Sequence, residues 1–155
     1  MGFLSNLKNN LTGKWADVTV RADPARRGET LTLTVDVSVR DTDIQANKIV
    51  AKVQCIERVE VRVRRSAGHN DDGPSFSSSD SESQQATLFE QEVVLAGGQS
   101  LSAGSAQSFT GEMHLPPNVP PTFTGRNARV QWRVMGSVDM KGNDPDSGWQ
   151  PLMID

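Results

Sequence analysis

The sequence predicts an all-β protein, an antiparallel β-sandwich formed by a single domain. Three observations support this fold class: long stretches of period-two alternation, turn-forming residues between them, and no sustained helical periodicity after the N-terminus. A chain of 155 residues fits one domain with a sizeable core. We therefore expect residues 1–155 to fold as one domain with about six to eight short strands.

The clearest strand covers residues 30–40, "TLTLTVDVSVR". Its odd positions are apolar and its even positions are polar or charged, which is typical of a strand with one buried face. Shorter strand candidates are "WADVTVR" before it and "WQPLMI" near the C-terminus. The apolar face of the main strand consists of Leu31, Leu33, Val35, Val37 and Val39.

Residues 47–65 alternate in the same way but over an unusual length. One straight strand of this length would reach roughly 60 Å, which exceeds a domain of this size. Ile56 and Glu57 break the alternation, so we expect a bend or bulge at that point. The predicted buried positions are Ile49, Ala51, Val53, Cys55, Val59, Val61 and Val63.

Two segments depart from the strand pattern. Residues 66–86 are rich in Ser, Asp and Gly, which favours a long flexible hairpin loop, either functional or a tolerated insertion. At the N-terminus, Phe3, Leu4, Leu7 and Leu11 would line one side of a short helix over residues 1–12. That helix is expected to cap the domain, and a partner-binding or membrane-surface role stays open.

A proline-rich stretch, "HLPPNVPPTFTG", separates two further strand candidates. Proline cannot donate to a sheet ladder and fixes φ, so we interpret the stretch as a rigid corner between strands, with Phe123 closing the end of the sandwich. The alternative is a P-x-x-P ligand for an aromatic groove. The flanking strands would bury Phe109, Met113 and Leu115 before it, and Val130, Trp132, Val134 and Val138 after it. The corner residues are Pro116, Pro117, Pro120, Pro121, Phe123 and Gly125.

This corner resembles the "LPPSLPPSF-G" element of arrestin-type domains, which leads into a strand with an aromatic residue, here Trp132. "LFEQEVVLAGGQSLSAGSAQSFTGEMHLP" and "RRGETLTLTVDV" are similar to two further blocks of that family, in the same order. The resemblance implies an immunoglobulin-like (arrestin-type) sandwich that acts by binding proteins. Family members carry two such domains and this chain has room for one, so the interdomain mechanism does not transfer. A homodimer would supply a second sandwich.

Composition restricts the cellular compartments and the classes of partner that we expect. The net charge of −3 and the pI near 5.4 give no reason to expect nucleic acid as a partner. No run of about 18 apolar residues spans a membrane, so membrane association would be at most peripheral. The single cysteine excludes an internal disulfide and fits a cytoplasmic protein.

Catalytic residues are not indicated, and we predict that the chain is not an enzyme. The two histidines, His69 and His114, fall in the loop and on the outward side of a strand, while Cys55 falls on a buried parity. "NDPDSG" and "HNDDG" lack the spacing of a calcium loop and match turn chemistry instead. We expect no metal and no cofactor.

Arginines on the polar parity of the long strand are the best candidate for a binding site. Arginine forks suit carboxylates and phosphates, and some arrestins hold phosphorylated tails with basic residues. The alternative is a solvated face that only prevents edge aggregation. The predicted function is an adaptor or scaffold module for a protein partner, acidic or phosphorylated, with two alternatives: a self-assembling structural subunit, or a small-molecule or metal-dependent enzyme. The candidate residues on that parity are Arg58, Arg62 and Arg64, with Arg65 beside them. If the sheet pairs as expected, Arg129 and Arg133 of a later strand lie on a nearby solvent face and join them.

Overall fold

The described part of the chain consists of strands, turns and loops. The structure, a computed structural model, describes residues 15–66 and 77–155, with side chains at residues 15–62 and 80–155. All pairings between its strands are antiparallel, which confirms the all-β antiparallel prediction. The helix predicted for residues 1–12 lies outside the described residues. The strands are β1 Ala16–Ala22, β2 Thr30–Val39, β3 Ile44–Ser66, β4 Ser77–Ala96, β5 Gln99–Leu101, β6 Ala106–His114, β7 Phe123–Thr124, β8 Ala128–Met140 and β9 Gln150–Leu152.

The strands form two sheets. The smaller sheet has the order β1-β2-β6, and the larger sheet has the order β4-β3-β8-β7. Two short strands complete the larger sheet, since β5 pairs with β3 and β9 pairs with β8. The short candidates "WADVTVR" and "WQPLMI" are therefore β1 and β9.

The core lies between the two sheets and is built by the predicted alternation. Leu31, Leu33 and Val35 of β2 are at most 1% exposed, as are Ile49 and Val53 of β3. The two sheets approach closely at Gly136 of β8, where an added Cβ would lie 2.7 Å from Cγ2 of Val35. Glycine is favoured there because the side chains of Val35 and Val20 occupy the space that a Cβ would need. The predicted inward residues of β8 are all buried: Val130, Trp132, Val134 and Val138.

The great length of strand β3 is accommodated by a change of pairing partner and by a bulge. Its first residues pair with β5, and from Ile49 onward they pair with β4. The register with β4 shifts between Cys55 and Ile56, so that Leu88 is the extra residue on β4. The predicted irregularity at Ile56 is therefore confirmed as a β-bulge, although the inserted residue belongs to the partner strand.

The extent of the predicted loop at residues 66–86 was wrong. Strand β4 begins at Ser77, and its first ten residues pair with β3 as far as Ser66. Main-chain hydrogen bonds do not depend on apolar side chains, so a Ser- and Gln-rich segment completes the ladder opposite a charged strand. Strands β3 and β4 pair antiparallel as far as Ser66 and Ser77, and residues 67–76 between them lie outside the described residues.

The far end of β3 also departs from the expected burial. Val61 is 52% exposed and Val59 is half-buried, although both share the parity of the core residues. The cause is length: β2 has 10 residues and β3 has 23, so β3 runs past the opposing sheet. We call residues 57–66 of β3 and 77–86 of β4 the hairpin extension.

Candidate functional site

The proline-rich corner anchors the end of the sandwich from which the hairpin extension projects. The main-chain N–H of Leu115 donates to the carbonyl oxygen of Glu29 at 2.9 Å, and the indole Nε1 of Trp132 donates to the carbonyl oxygen of Pro120 at 2.8 Å. Leu115 and Val119 are buried in the core. The second proline pair is therefore tied to the aromatic residue of β8.

Individual corner residues differ in exposure. Pro117 is exposed and packs near Gly28, whose positive φ of 81° favours glycine, whereas the other three prolines are partly buried. Phe123 is 55% exposed, so our expectation that it closes the end of the sandwich was wrong. It lies on β7 opposite Val130, at the margin where the second sheet no longer faces it. The three partly buried prolines are Pro116, Pro120 and Pro121.

A tight turn leads from the corner into β8. The main-chain N–H of Gly125 donates to the carbonyl oxygen of Ala128 at 2.7 Å, and a Cβ on Gly125 would lie 2.9 Å from Cε1 of Phe123. The main-chain N–H of Glu60 donates to the carbonyl oxygen of Asn127 at 2.8 Å. The turn is thereby fixed against β3, and Arg126 is held beside the hairpin extension.

Four arginines surround the outer side of this junction. Arg58 of β3 lies directly opposite Arg129 of β8, and Arg62 lies four residues further along β3 on the same face. Arg126 and Arg62 line one concavity of about 660 Å³ together with Ser81. We call this group the arginine face, and its members are Arg58, Arg62, Arg126 and Arg129.

The charge on the arginine face is only partly balanced. The Arg129 guanidinium lies 3.9 Å from a carboxylate oxygen of Glu60, and Arg58 donates to the amide oxygen of Gln85 at 3.1 Å. Among the described residues that line the two concavities here, Glu60 is the only carboxylate. Four guanidinium groups and one carboxylate leave a net positive surface on a protein whose overall charge is −3.

On the other half of the same sheet face, positive and negative charges are paired. Lys48 donates to Glu92 at 2.7 Å, and Gln54 donates to Glu90 at 2.6 Å. Lys52 is also 3.9 Å from Glu90. On that half, carboxylates of β4 stand across from the lysines of β3, whereas β4 presents Gln85, Ser83 and Ser81 to the arginine face.

The remaining predicted arginines are divided between two places. Arg133 lies further along β8, where its Nε donates to Gln54 Oε1 at 2.8 Å and its guanidinium carbon is 4.2 Å from the ring centroid of Trp149. The Arg133 side chain therefore already has two partners, and it lies apart from the arginine face. Arg64 and Arg65 belong to the hairpin extension, opposite Ser79 and Ser78, and their side chains are outside the described part.

Arg126 was missed by the sequence reasoning, which considered only arginines on strands. It precedes β8 in the stretch "TGRNAR", and the signal that would have found it is the Gly-x-Asn turn between two short strand candidates. The turn brings an arginine from a loop beside arginines of β3, which period-two alternation does not show.

The side chains weighed for catalysis do not converge. Cys55 is fully buried between the sheets, and burial, followed by the nearby charge of Glu57, raises the pKa of its thiol to about 11. His114 is exposed at the end of β6, opposite Thr30 of β2 in the smaller sheet, as the alternation predicted. His69 lies outside the described residues.

The acidic stretch "NDPDSG" forms a turn, as predicted. The Asp144 carboxylate accepts the main-chain N–H of Met140 at 3.0 Å, and the Asp146 carboxylate accepts that of Gly148 at 2.8 Å. Within residues 15–66 and 77–155 there is no group of three or more His, Cys, Asp or Glu side chains arranged to hold a metal ion. None of the described residues belongs to a helix that would cross a membrane.

Comparison with known proteins identifies the fold. No protein-family model matches the chain, and no curated protein matches it. Its structure is similar to the crystal structure of Spo0M, a sporulation control protein from Bacillus subtilis, with a TM-score of 0.61 and 19% sequence identity. The match covers 90% of this chain and 49% of that chain, so this chain spans about half the length of Spo0M. The predicted arrestin-type sandwich is thereby confirmed as the fold of this protein.

Proposed function

We propose that the chain is a non-enzymatic adaptor module that binds an acidic segment of a protein partner on the arginine face. The similarity to a sporulation control protein supports a regulatory binding module, and the fold carries this support only by analogy. The proposal includes no cofactor, and it places the module in the cytoplasm because its one cysteine forms no internal disulfide.

The observation that carries the proposal is the pairing of Arg58 with Arg129 across β3 and β8. Like charges directly opposite each other destabilise a sheet, and oxyanions placed between them remove that cost. Each guanidinium offers a planar fork of donors that matches a carboxylate or a phosphate ester. Arg62 and Arg126 extend the positive surface over the neighbouring concavity, so an extended acidic segment meets several forks in succession.

The site also has the exposure that a docking surface needs. The hairpin extension projects beyond the second sheet, Arg58 and Arg62 are exposed on it, and Arg126 is exposed beside it. Positive potential on such a projection increases the rate of encounter with an acidic partner, and the effect decreases with added salt. An acidic segment bound here would therefore dissociate as ionic strength rises.

Affinity purification with matched charge variants tests the proposal. The tagged chain is isolated from its native cells beside Arg58→Glu/Arg62→Glu and a control, Arg26→Glu/Arg27→Glu, which has the same charge change at an exposed turn before β2. We expect one distinct protein to be recovered with the wild type and with the control, and to be lost with Arg58→Glu/Arg62→Glu. Equal recovery with all three would remove the arginine face as the docking surface.

A second candidate function is self-assembly through a sheet edge. Strand β6 pairs with β2 on one side only among the described strands, and Glu112 is the only Asp, Glu, Lys or Arg among its nine residues. A long, weakly charged edge is a natural pairing site for a second copy. Sedimentation over micromolar concentrations decides this candidate: a fixed oligomer without another protein favours it, and a monomer throughout excludes it.

A further inference from the structure

A serine of the hairpin extension faces the arginine face directly. Ser81 of β4 lies opposite Arg62 of β3, and directly opposite residues of an antiparallel pair have Cβ atoms about 5 Å apart on one face. Ser81 is exposed and lines the same concavity as Arg62 and Arg126. A group attached to its hydroxyl therefore enters a concavity that Arg62 of β3 and Arg126 of the turn before β8 both line.

We infer that Ser81 is a phosphorylation site whose phosphate binds Arg62 and Arg126. A protein kinase would transfer the γ-phosphoryl group of a nucleoside triphosphate to Ser81 Oγ. The phosphorus–oxygen bond to the serine forms, the bond to the departing nucleoside diphosphate breaks, and the hydroxyl proton passes to the base of the kinase. The product carries a charge of about −1.5 to −2 and three acceptor oxygens, which suit two guanidinium forks.

The position of Ser81 makes this serine available to an enzyme. Among the described strands, β4 is at the edge of its sheet, and the extended main chain around Ser81 pairs there with β3 alone. An extended segment with a free edge is the form in which peptide-binding grooves take up a chain. The exposed hydroxyl projects from the outer face, away from the core.

The acidic neighbours of Ser81 do not oppose the phosphate. Asp80 and Glu82 lie opposite Val63 and Val61, which places them on the other face of the hairpin because side chains alternate along a strand. Glu60 is the only carboxylate among the described residues that line the concavity, and it lies 3.9 Å from a nitrogen of Arg129. A phosphate on Ser81 therefore faces Arg62 in the direct cross-strand position.

Ser83 provides a matched control within the same strand. It lies two residues further along β4, on the same face, but directly opposite Glu60 instead of an arginine. A phosphate on Ser83 meets a carboxylate across the ladder, so the same chemical group should experience repulsion there. The two serines differ in the charge opposite them and share the strand, the face and the exposure.

Phosphorylation would also regulate the proposed binding site. A phosphate held by Arg62 and Arg126 occupies two of the four arginines, which lowers the affinity for an acidic partner. This consequence rests on the proposed function. The binding of the Ser81 phosphate by Arg62 and Arg126, which we call the phosphate clasp, does not. Binding of the phosphate is measured on the chain without a partner, and docking is measured on the unmodified chain with the arginine variants, so a failure of the clasp and a failure of the docking surface are distinguishable.

The test is a ³¹P NMR pH titration of the full chain carrying phosphoserine at position 81 or at position 83. We expect the second ionisation at position 81 to have a midpoint lower by about half a pH unit or more than at position 83, because nearby guanidinium groups favour the dianion. Arg62→Gln and Arg126→Gln should each raise the midpoint at position 81. Equal midpoints, or a midpoint at position 81 that is insensitive to both substitutions, would overturn the clasp.

Mass spectrometry of the chain isolated from its native cells tests whether the modification occurs. We expect a phosphorylated peptide with the phosphate on Ser81. Peptides that cover Ser81 and carry no phosphate under any growth condition sampled would overturn the assignment of Ser81 as a modification site.

Discussion

Arg58 of β3 and Arg129 of β8 are direct cross-strand neighbours on the outer face of the larger sheet. A carboxylate oxygen of Glu60 is 3.9 Å from Arg129, and Arg58 donates to the neutral amide oxygen of Gln85 at 3.1 Å. Two like charges are thus held together by the register of the sheet. Such an arrangement costs stability in the free protein and is relieved when an anion binds.

The first prediction concerns this repulsion. Arg129→Gln should leave the free energy of unfolding unchanged or increase it at low ionic strength, because it removes a like-charge pair and loses only a long, exposed contact with Glu60. Added salt should reduce the difference in the free energy of unfolding between Arg129→Gln and the wild type, because it screens both guanidinium groups. Urea unfolding at two salt concentrations measures this difference.

Arg21→Gln is the control for this prediction. Arg21 Nε donates to Asp36 Oδ2 at 2.9 Å, so its loss should lower stability. If Arg129→Gln destabilised the protein as Arg21→Gln does, Arg129 would be a structural ion-pair partner and its pairing with Arg58 would carry no information about function.

A second prediction concerns the proline-rich corner. Trp132→Phe keeps an aromatic ring in the core but removes the N–H that donates to the Pro120 carbonyl oxygen at 2.8 Å. A partly buried acceptor without a donor costs about 1–3 kcal/mol, and the smaller ring also leaves a cavity in the core, so the free energy of unfolding should fall by at least that amount. Urea denaturation measures it.

Trp149→Phe is the matched control for the corner, because Trp149 stacks under Arg133 at the surface and is only partly buried. We expect its effect to be small. Equal losses from Trp132→Phe and Trp149→Phe would mean that the hydrogen bond does not hold the corner.

The third prediction concerns the close approach of the two sheets. Gly136→Ala places a Cβ 2.7 Å from Cγ2 of Val35 and 3.0 Å from its Cγ1. The sheets must separate or Val35 must leave its rotamer, and overpacking of this kind costs about 1–3 kcal/mol. Thermal and urea unfolding should both report the loss.

Gly97→Ala controls for the glycine substitution itself, because an added Cβ there meets no atom within 4 Å. Adding Val35→Ala should recover part of the stability lost in Gly136→Ala, since the two side chains then share the space. A Gly136→Ala variant as stable as the wild type would show that the sheets are further apart than the structure places them.

The fourth prediction is a pH dependence centred on Asp36. Its carboxylate accepts hydrogen bonds from Arg21 and from the Ser108 hydroxyl, and these lower its pKa, with Arg21 as the larger cause. Because the folded-state pKa lies below the unfolded value of about 3.9, the ionised group stabilises the fold above pH 4 or so. That contribution is lost as the pH falls through the folded-state pKa.

Asp36→Asn should therefore destabilise the protein at neutral pH, and the difference from the wild type should narrow as the pH falls below about 4. Urea unfolding across a pH series measures this difference. For Arg21→Gln, the difference in the free energy of unfolding from the wild type should narrow over the same pH range, because this substitution removes the main cause of the lowered pKa of Asp36. A difference that stayed constant from neutral to acidic pH would contradict the assignment to Asp36.

The sequence predicted the core well because alternation reports which side chains share a face. Leu33 and Val134 were placed correctly on that basis. Alternation does not report whether a second sheet lies opposite, and for this reason Val61 was expected in the core but is 52% exposed. The same limitation applies to Phe123, whose surroundings depend on where β1, β2 and β6 end.

The candidate site was predicted in part. Arg58 and Arg129 were named on their strands, and an approximate pairing was expected, but their direct opposition is a matter of register that no single strand encodes. Arg126 reaches the site through a turn. Serines of the segment expected to be a loop became a strand opposite the arginines, because main-chain pairing extended β4 as far as Ser77.

Site-specific photo-crosslinking is the most direct test of the arginine face as a docking surface. Gln131 is exposed on the outer face of β8 between Arg129 and Arg133, whereas Ser38 is exposed on β2 in the other sheet. A photoreactive side chain is placed at one or the other position in the full chain in its native cells. We predict an adduct with one distinct protein from position 131 and none from position 38. No adduct from position 131, or adducts only with a second copy of this chain, would contradict the account.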